Sequence, residues 1–120
     1  MQVTVRRVYD PPGSHEGLRV LVDRLWPRGV SKEALKYDIW EKSIAPTPEL
    51  RKWFGHAPQR WDSFREKYRK ELKTAEVQER LKAILEQADK RNITLLYGAR
   101  DAEHNHALIL ADELERLYSS

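Results

Sequence analysis

The chain has 120 residues, of which 40% are hydrophobic and 34% charged, and it contains no cysteine. This length suits a single domain with its own core, and the missing cysteine excludes disulfides, thiolate metal ligands and cysteine nucleophiles. Lys and Arg number 22 against 19 Asp and Glu and are spread along the chain, which permits an anionic partner without requiring one.

Three apolar segments predict the main strands, at residues 3–8, 18–23 and 93–97, and the alternating segment 37–40 predicts a short fourth strand. A loop rich in proline and glycine, residues 10–17, connects the first two. So short a connection allows these two strands to pair antiparallel, because a parallel crossover usually needs a dozen or more residues.

Helix signals fill most of the remaining chain. Thr47 is a good N-cap before Pro48, and Gly55 is placed to end that helix. A second helix starts near residue 58, and a third runs from Thr74 towards Asn92. Ser31 predicts one helical turn over residues 32–36, and Asp101 predicts the cap of the last helix. The order of elements predicts one α/β domain over residues 1–120. Its sheet is small, mostly parallel or mixed, with three or four strands; helices flank it and a helical insertion separates the two buried strands.

Two buried strands are each followed by charged and imidazole side chains. Because ligands of open α/β sheets bind in the crevice beyond the carboxyl ends of the strands, we expect these groups to meet in a common cavity there. Asp23 is a candidate general base, and Arg24, Trp26 and Arg28 are candidate ligand-binding residues. The alternative is that Asp23 and Arg24 only hold the following loop and that Arg28 is an ordinary exposed arginine.

The second cluster lies where the strand at 93–97 leads into the last helix. Arg100, Asp101, Asn105 and His106 are candidate ligand-binding residues there, since a helix N-terminus attracts anions. His104 is a candidate acid or base, because imidazole titrates near neutral pH. The alternative is that these residues cap the helix and bond to backbone.

A metal site and a cofactor are not expected. On a helix, His104 and His106 point about 200° apart, and the chain lacks the usual zinc spacing of two histidines at i and i+4. There is no P-loop, no Gly-x-Gly-x-x-Gly and no serine nucleophile elbow. Arg51 and His56 flank Trp53 and Phe54, and His56 reaches the crevice only if the helical insertion folds over it.

The chain resembles the family known as domain of unknown function 488, in its short YeaO-like branch. The segments that carry the resemblance are residues 7–10, 19–29, 44–54 and 99–107. The resemblance implies a compact cytoplasmic α/β domain and no particular activity. It also implies that longer relatives have a Cys-His-Arg run where this chain has His104, Asn105 and His106, so their thiol chemistry does not transfer.

Three functional hypotheses follow. The first is a domain that binds an anionic, phosphate-bearing or nucleotide-like ligand, and it includes an acid/base enzyme using Asp23 and His104. The second is a non-catalytic nucleic-acid binder that uses basic residues of the helical insertion, although Glu66 and Glu71 are interleaved with them. The third is a structural or partner-binding protein. The first residues, 1–7, lack the apolar core of a signal peptide and no apolar run could span a bilayer, so the expected location is the cytoplasm.

Overall fold

The computed structural model describes residues 1–120, and four strands in it form one sheet with only parallel pairs. The strands are β1 (Val3–Arg7), β2 (Leu18–Leu21), β3 (Ile39–Trp40) and β4 (Ile93–Tyr97), in the spatial order β1-β4-β2-β3. All five residues of β4 are buried, as an apolar run at the centre of a parallel sheet requires. The predicted small α/β sheet of three or four strands is confirmed.

The antiparallel pairing considered for the first two strands is wrong. β4 lies between β1 and β2 and pairs parallel with both, so Val3 and Leu18 are both level with Ile93. At roughly 3.3 Å per residue, the connection 8–17 is long enough to return along the sheet without a helix. Glu16 fastens this connection to the sheet, because its carboxylate forms ion pairs with Arg6 and Arg19.

Gly17 marks the point where this connection enters β2. Its φ is +66°, and a Cβ there would lie 1.9 Å from the carbonyl oxygen of Asn92. Both the backbone conformation and the close approach therefore require glycine at this position.

The helices are α1 (Pro48–Phe54), α2 (Trp61–Leu72), α3 (Ala75–Ala88) and α4 (His106–Ser119), and short 3₁₀ turns cover Lys42–Ile44 and Pro58–Arg60. The caps predicted for α1 are confirmed: Thr47 Oγ1 accepts from the Leu50 N–H at 3.3 Å, and Gly55 ends the helix with φ 54°. None of these helices combines the length and hydropathy that crossing a membrane requires.

Two predicted helix boundaries are wrong, and one predicted turn is confirmed. α3 ends at Ala88, because Asp89 takes the left-handed conformation, and Asn92 instead bonds to Gln2 and to the carbonyl of His15. Ser31 Oγ accepts from the Ala34 N–H and caps a single turn, as predicted. The last helix begins at residue 106, with Asn105 rather than Asp101 as its cap.

The main core lies between the sheet and the helical layer. It contains 21 buried residues, which come from β1, β2, β4 and all four helices. The opposite face of the sheet carries a smaller cluster of Val8, Leu21, Leu35 and Leu96, and side chains of the segment 26–40 pack on it. Helices therefore cover one face and an irregular segment covers the other, which leaves the carboxyl ends of the strands facing an open cleft.

Candidate functional site

A cleft of about 660 Å³ lies beyond the carboxyl ends of β1, β2 and β4. Its walls come from the residues that follow these three strands and from the start of the helical insertion. The structure brings together all nine residues singled out from the sequence, which are Asp23, Arg24, Trp26, Arg28, Arg100, Asp101, His104, Asn105 and His106. Their convergence was expected from strand direction, while their roles stay predictions.

Asp23 lies on the floor of the cleft, with 20% of its side chain exposed. Its Oδ2 accepts from the Gly98 N–H at 2.9 Å, and its Oδ1 lies 3.5 Å from His106 Nε2. A Cβ at position 98 would lie 3.0 Å from Oδ2, so Gly98 leaves room for this carboxylate. Burial raises the pKa of Asp23, against the opposing effects of His106, the Gly98 N–H and Arg51.

His106 also lines the floor of the cleft, where it lies beside Asp23. Its Nε2 donates to the Val22 carbonyl at 2.9 Å, which makes Nε2 the protonated nitrogen of the neutral ring. Burial lowers the pKa of His106, although Asp23 acts in the opposite direction. Asp23 and His106 therefore join the end of β2 to the first residue of α4.

A tight turn precedes α4 and presents His104 to the cleft. Asp101 Oδ1 accepts from the N–H groups of Glu103 and His104, and its Oδ2 lies 2.8 Å from His104 Nδ1. The Glu103 N–H and the His104 ring lower the pKa of Asp101. An ionised Asp101 accepts a hydrogen bond from the Nδ1–H of neutral His104, which leaves a free lone pair on Nε2. The ring of Trp61 holds His104 edge-on, with centroids 5.4 Å apart.

Asn105 is buried, and its side chain caps the N-terminus of α4. Its Oδ1 accepts from the Leu108 N–H at 3.3 Å, and its Nδ2 donates to the Asp101 carbonyl at 3.0 Å. The sequence placed His104 and Asn105 in the first turn of a helix capped by Asp101. They precede the helix instead, because Asp101 closes its own turn and Asn105 starts α4.

Arg24 and Trp26 form part of the cleft wall, and both have internal partners. Arg24 donates from Nε to the Pro46 carbonyl and from Nη2 to the Ala45 carbonyl, each at 3.2 Å. Trp26 Nε1 donates to the Val30 carbonyl at 2.6 Å, and its ring packs edge-on against two other aromatic rings. Arg24 does not pair with Asp23, so the proposed Asp-Arg pair between neighbours is absent.

Arg28, Arg51 and Arg100 are the cations of the cleft that have no partner. All three are exposed, and none forms an ion pair or a side-chain hydrogen bond. With Arg24 they make four arginines in a lining that contains two aspartates and no other carboxylate. Because guanidinium groups bind phosphate and carboxylate through paired hydrogen bonds, this arrangement can hold an anion.

Two residues that line the cleft, Arg51 and Tyr9, were not predicted from the sequence as site residues, and His56 was predicted only on a condition. Arg51 enters the cleft from α1, and His56 does so because the insertion folds over the sheet edge, the condition stated for it. Tyr9 also lines the cleft and was not singled out, although it follows β1 just as Asp23 follows β2. Its position after a strand was therefore the signal that could have identified it.

The reactive side chains in the lining of the cleft are aspartates, histidines and a tyrosine. The lining contains no cysteine, serine or threonine. No group of three or more His, Asp or Glu side chains is placed to hold a metal ion. His104 and Asp23 remain the acid and base candidates, and Asp23 already accepts a hydrogen bond from Gly98.

The parallel sheet, its one-sided helical layer and the arginine-rich cleft define a small α/β protein with a positively charged pocket at the sheet edge. The chain belongs to the DUF488 family: residues 2–120 match the family model DUF488-N3i, described as the inactive DUF488-N3 subclade. The resemblance to the YeaO-like branch is thus confirmed.

Two relatives show how far the similarity extends. The uncharacterized protein YeaO of Escherichia coli (strain K12) is 45% identical over 117 residues, which cover 98% of this chain and 100% of YeaO. The uncharacterized protein Rv3073c of Mycobacterium tuberculosis (strain ATCC 25618 / H37Rv) is 36% identical over 113 residues, covering 94% of this chain and 93% of the relative. No solved structure matches the chain.

Proposed function

We propose that this protein binds a phosphate-bearing small molecule in the cleft, as a binding domain. The observation that carries the proposal is the set of three unpartnered arginines, Arg28, Arg51 and Arg100, around one pocket. Arg80 and Arg116, two exposed arginines elsewhere on the surface, pair with Glu41 and Glu113, whereas these three leave their donors free for an anion. The location at the carboxyl ends of parallel strands supports the same proposal.

The start of α4 adds to this attraction. The N-terminus of a helix carries a partial positive charge and unsatisfied N–H groups, and α4 begins at the cleft with His106. Asp23 opposes the effect with its negative charge, but burial raises its pKa and so disfavours its ionised form.

Binding is favoured over catalysis for two reasons. The family description calls the subclade inactive, and the lining offers no thiol, serine or threonine for covalent chemistry. In this proposal His104, oriented by Asp101, contacts the ligand without transferring a proton. The acid and base roles of Asp23 and His104 stay predictions. The cytoplasmic location also stays a prediction, and it is part of this proposal.

Calorimetric titration with ribose 5-phosphate tests the proposal. We expect measurable binding by the unaltered protein, and at least about 100-fold weaker binding by the double variant Arg28→Ala/Arg100→Ala, because each charge-assisted contact contributes roughly 1.5–3 kcal/mol. The matched control is Arg69→Ala/Lys82→Ala, which removes two exposed cations outside the cleft. Equal weakening in both double variants would show only a general charge effect, and no binding by the unaltered protein would reject the proposal.

Salt dependence separates this function from nucleic-acid binding. A small ligand held by a few arginines shows a shallow dependence of affinity on salt, whereas a protein that contacts many phosphates shows a steep one. Two basic residues of the helical insertion, Arg60 before α2 and Lys67 within it, each lie 5.3 Å from the centroid of the Trp53 ring. Because these cations are partly engaged there, they favour the small ligand over a nucleic-acid strand.

A further inference from the structure

Tyr9 is a large exposed aromatic side chain inside the cleft, and the proposed phosphate site does not explain it. Its residue exposure is 46%, and it lines the cleft together with Leu25, which is 60% exposed. The other two exposed large hydrophobic residues, Trp53 and Tyr118, lie outside the cleft. An apolar surface is therefore present at the same opening as the unpartnered arginines.

The ring of Tyr9 is held in place from two sides. The guanidinium of Arg7 lies over it, 4.7 Å from the ring centroid, and the hydroxyl donates to the Arg28 carbonyl at 2.9 Å. Arg7 is itself fixed, since its Nε donates to the Ala99 carbonyl at 2.9 Å. An exposed ring that is already immobilised loses little entropy when a flat ligand group stacks on it.

These contacts also connect Tyr9 to the residues that would hold the phosphate. Tyr9 bonds to the backbone of Arg28, and Arg7 bonds to the residue before Arg100. The aromatic surface and two of the three free arginines thus belong to one connected structure. The cleft volume of about 660 Å³ is far larger than a phosphate needs and lies within the range of sites for small organic ligands.

We infer that the ligand is a nucleoside 5′-phosphate whose base stacks on Tyr9 while its phosphate binds Arg28 and Arg100. The inference rests on the proposed function, because the arginines must first hold the phosphate. Aromatic rings stack with every base through their faces, so the platform selects for a base without selecting which one. A sugar phosphate without a base leaves the Tyr9 surface unused.

The test compares ribose 5-phosphate with adenosine 5′-monophosphate (AMP) by calorimetric titration. We expect AMP to bind about 10-fold more tightly, in line with the contribution of one stacked base. Tyr9→Ala also removes the hydroxyl bond to the Arg28 carbonyl, so the quantity to compare is the ratio of the AMP and ribose 5-phosphate affinities, and this variant should lose the advantage of AMP. Tyr9→Phe, which keeps the ring, should retain most of it. Thermal unfolding of each variant checks that the fold is intact.

Three results overturn the inference in different ways. If ribose 5-phosphate and AMP bind equally, the base has no site and the proposed phosphate-binding function alone survives. If AMP binds more tightly but Tyr9→Ala keeps the full difference, the base binds elsewhere. If neither compound binds, the proposed function fails and this inference fails with it.

The same chemistry occurs in a free nucleotide and at the 5′-phosphate end of a nucleic-acid strand. A 5′-phosphorylated oligoadenylate, five nucleotides long, distinguishes these sources when compared with AMP. Whichever of the two binds more tightly should be weakened about 10-fold by Tyr9→Ala. Loss of less than twofold for that ligand contradicts the stacking platform.

Discussion

Two clusters of charged side chains in this molecule differ in whether their charges have partners. In the helical layer, the carboxylate of Glu113 is 9% exposed and every oxygen has donors: Lys73, Gln78 and Arg116 all bond to it at 2.8–2.9 Å. In the cleft, Arg28 and Arg100 have no such partner. The first cluster joins α4 to α3 and to the end of α2, whereas the side chains of these two arginines join no elements.

The pKa values of Glu113 and Asp23, one carboxylate from each cluster, shift in opposite directions. Bonds from Arg116, Lys73 and Gln78 lower the pKa of Glu113 to about 2, against the effect of burial. Burial raises the pKa of Asp23, because one backbone N–H, a neutral imidazole and a more distant arginine do not compensate for lost hydration. A paired charge thus stabilises the fold, and a poorly paired one near a cleft indicates a role outside stability.

Glu113→Gln is expected to have the largest effect on stability. Removing the charge weakens several charge-assisted hydrogen bonds and should lower the free energy of unfolding at pH 7 by about 1–2 kcal/mol, a range reduced because Lys73 and Arg116 are half exposed. Urea denaturation measures the change. Glu115→Gln, at an exposed neighbour, is the control and should change stability by less than about 0.5 kcal/mol.

The pH dependence of the unaltered protein provides a second check on Glu113. Its folded pKa lies below the ordinary value of 4.5, so its contribution is complete above pH 4.5 and disappears as the pH falls towards about 2. The Gln variant should lack this part of the acid destabilisation. Parallel stability curves for the two proteins between pH 5 and pH 3 would contradict the assigned role.

Asp23→Asn should raise the free energy of unfolding, by a smaller amount than Glu113→Gln lowers it. The folded pKa of Asp23 is raised above 3.8, so the carboxyl favours the fold only when protonated, and that contribution is lost as the pH rises through the folded pKa. Asparagine keeps an oxygen for the Gly98 N–H and removes the buried charge. We expect roughly 0.5–1 kcal/mol more stability at pH 7.

Urea denaturation at pH 7 and pH 4 tests this sign. The gain from Asp23→Asn should be smaller at pH 4, where the carboxyl of the unaltered protein is closer to protonation. Tighter binding of ribose 5-phosphate by this variant should accompany the gain, because a negative charge leaves the cleft floor. A loss of more than 1 kcal/mol at pH 7 would show that Asp23 is a structural ion like Glu113.

Arg28→Ala/Arg100→Ala should have the smallest effect on stability. Both side chains are exposed and have no partner, so the free energy of unfolding should stay within about 0.5 kcal/mol of the unaltered protein. Arg116→Ala is the matched comparison and should be less stable, because it removes two bonds to Glu113. Equal losses in the two variants would abolish the distinction between the clusters.

Local patterns were sufficient for several elements. The buried run Ile93–Tyr97, the cap and glycine end of α1, and the second helix, whose buried side chains are Phe64, Tyr68 and Leu72, all agree with the structure. Each depends on side chains within a few residues of one another, so the sequence contains all the information that the element needs.

The start of α4 shows where local patterns become ambiguous. Asp101 and Asn105 are both good N-caps, and nothing within the segment ranks them. In the fold, Asp101 closes a turn with His104, while Asn105 is buried and His106 bonds to the carbonyl of Val22, directly after the distant strand β2. The choice of cap therefore depends on contacts across the sheet edge.

The sequence by itself determined that this is an α/β protein with a small, mostly parallel or mixed sheet, which segments become its buried strands, and that polar groups follow them at one edge. Those properties arise from periodicity and from the direction of the chain. Tertiary structure alone decided that β4 separates β1 from β2, that Arg51 and Tyr9 enter the cleft, and which arginines find partners. Pairing between distant groups depends on packing of the whole chain, because the partners of a side chain are set by the elements that fold against it.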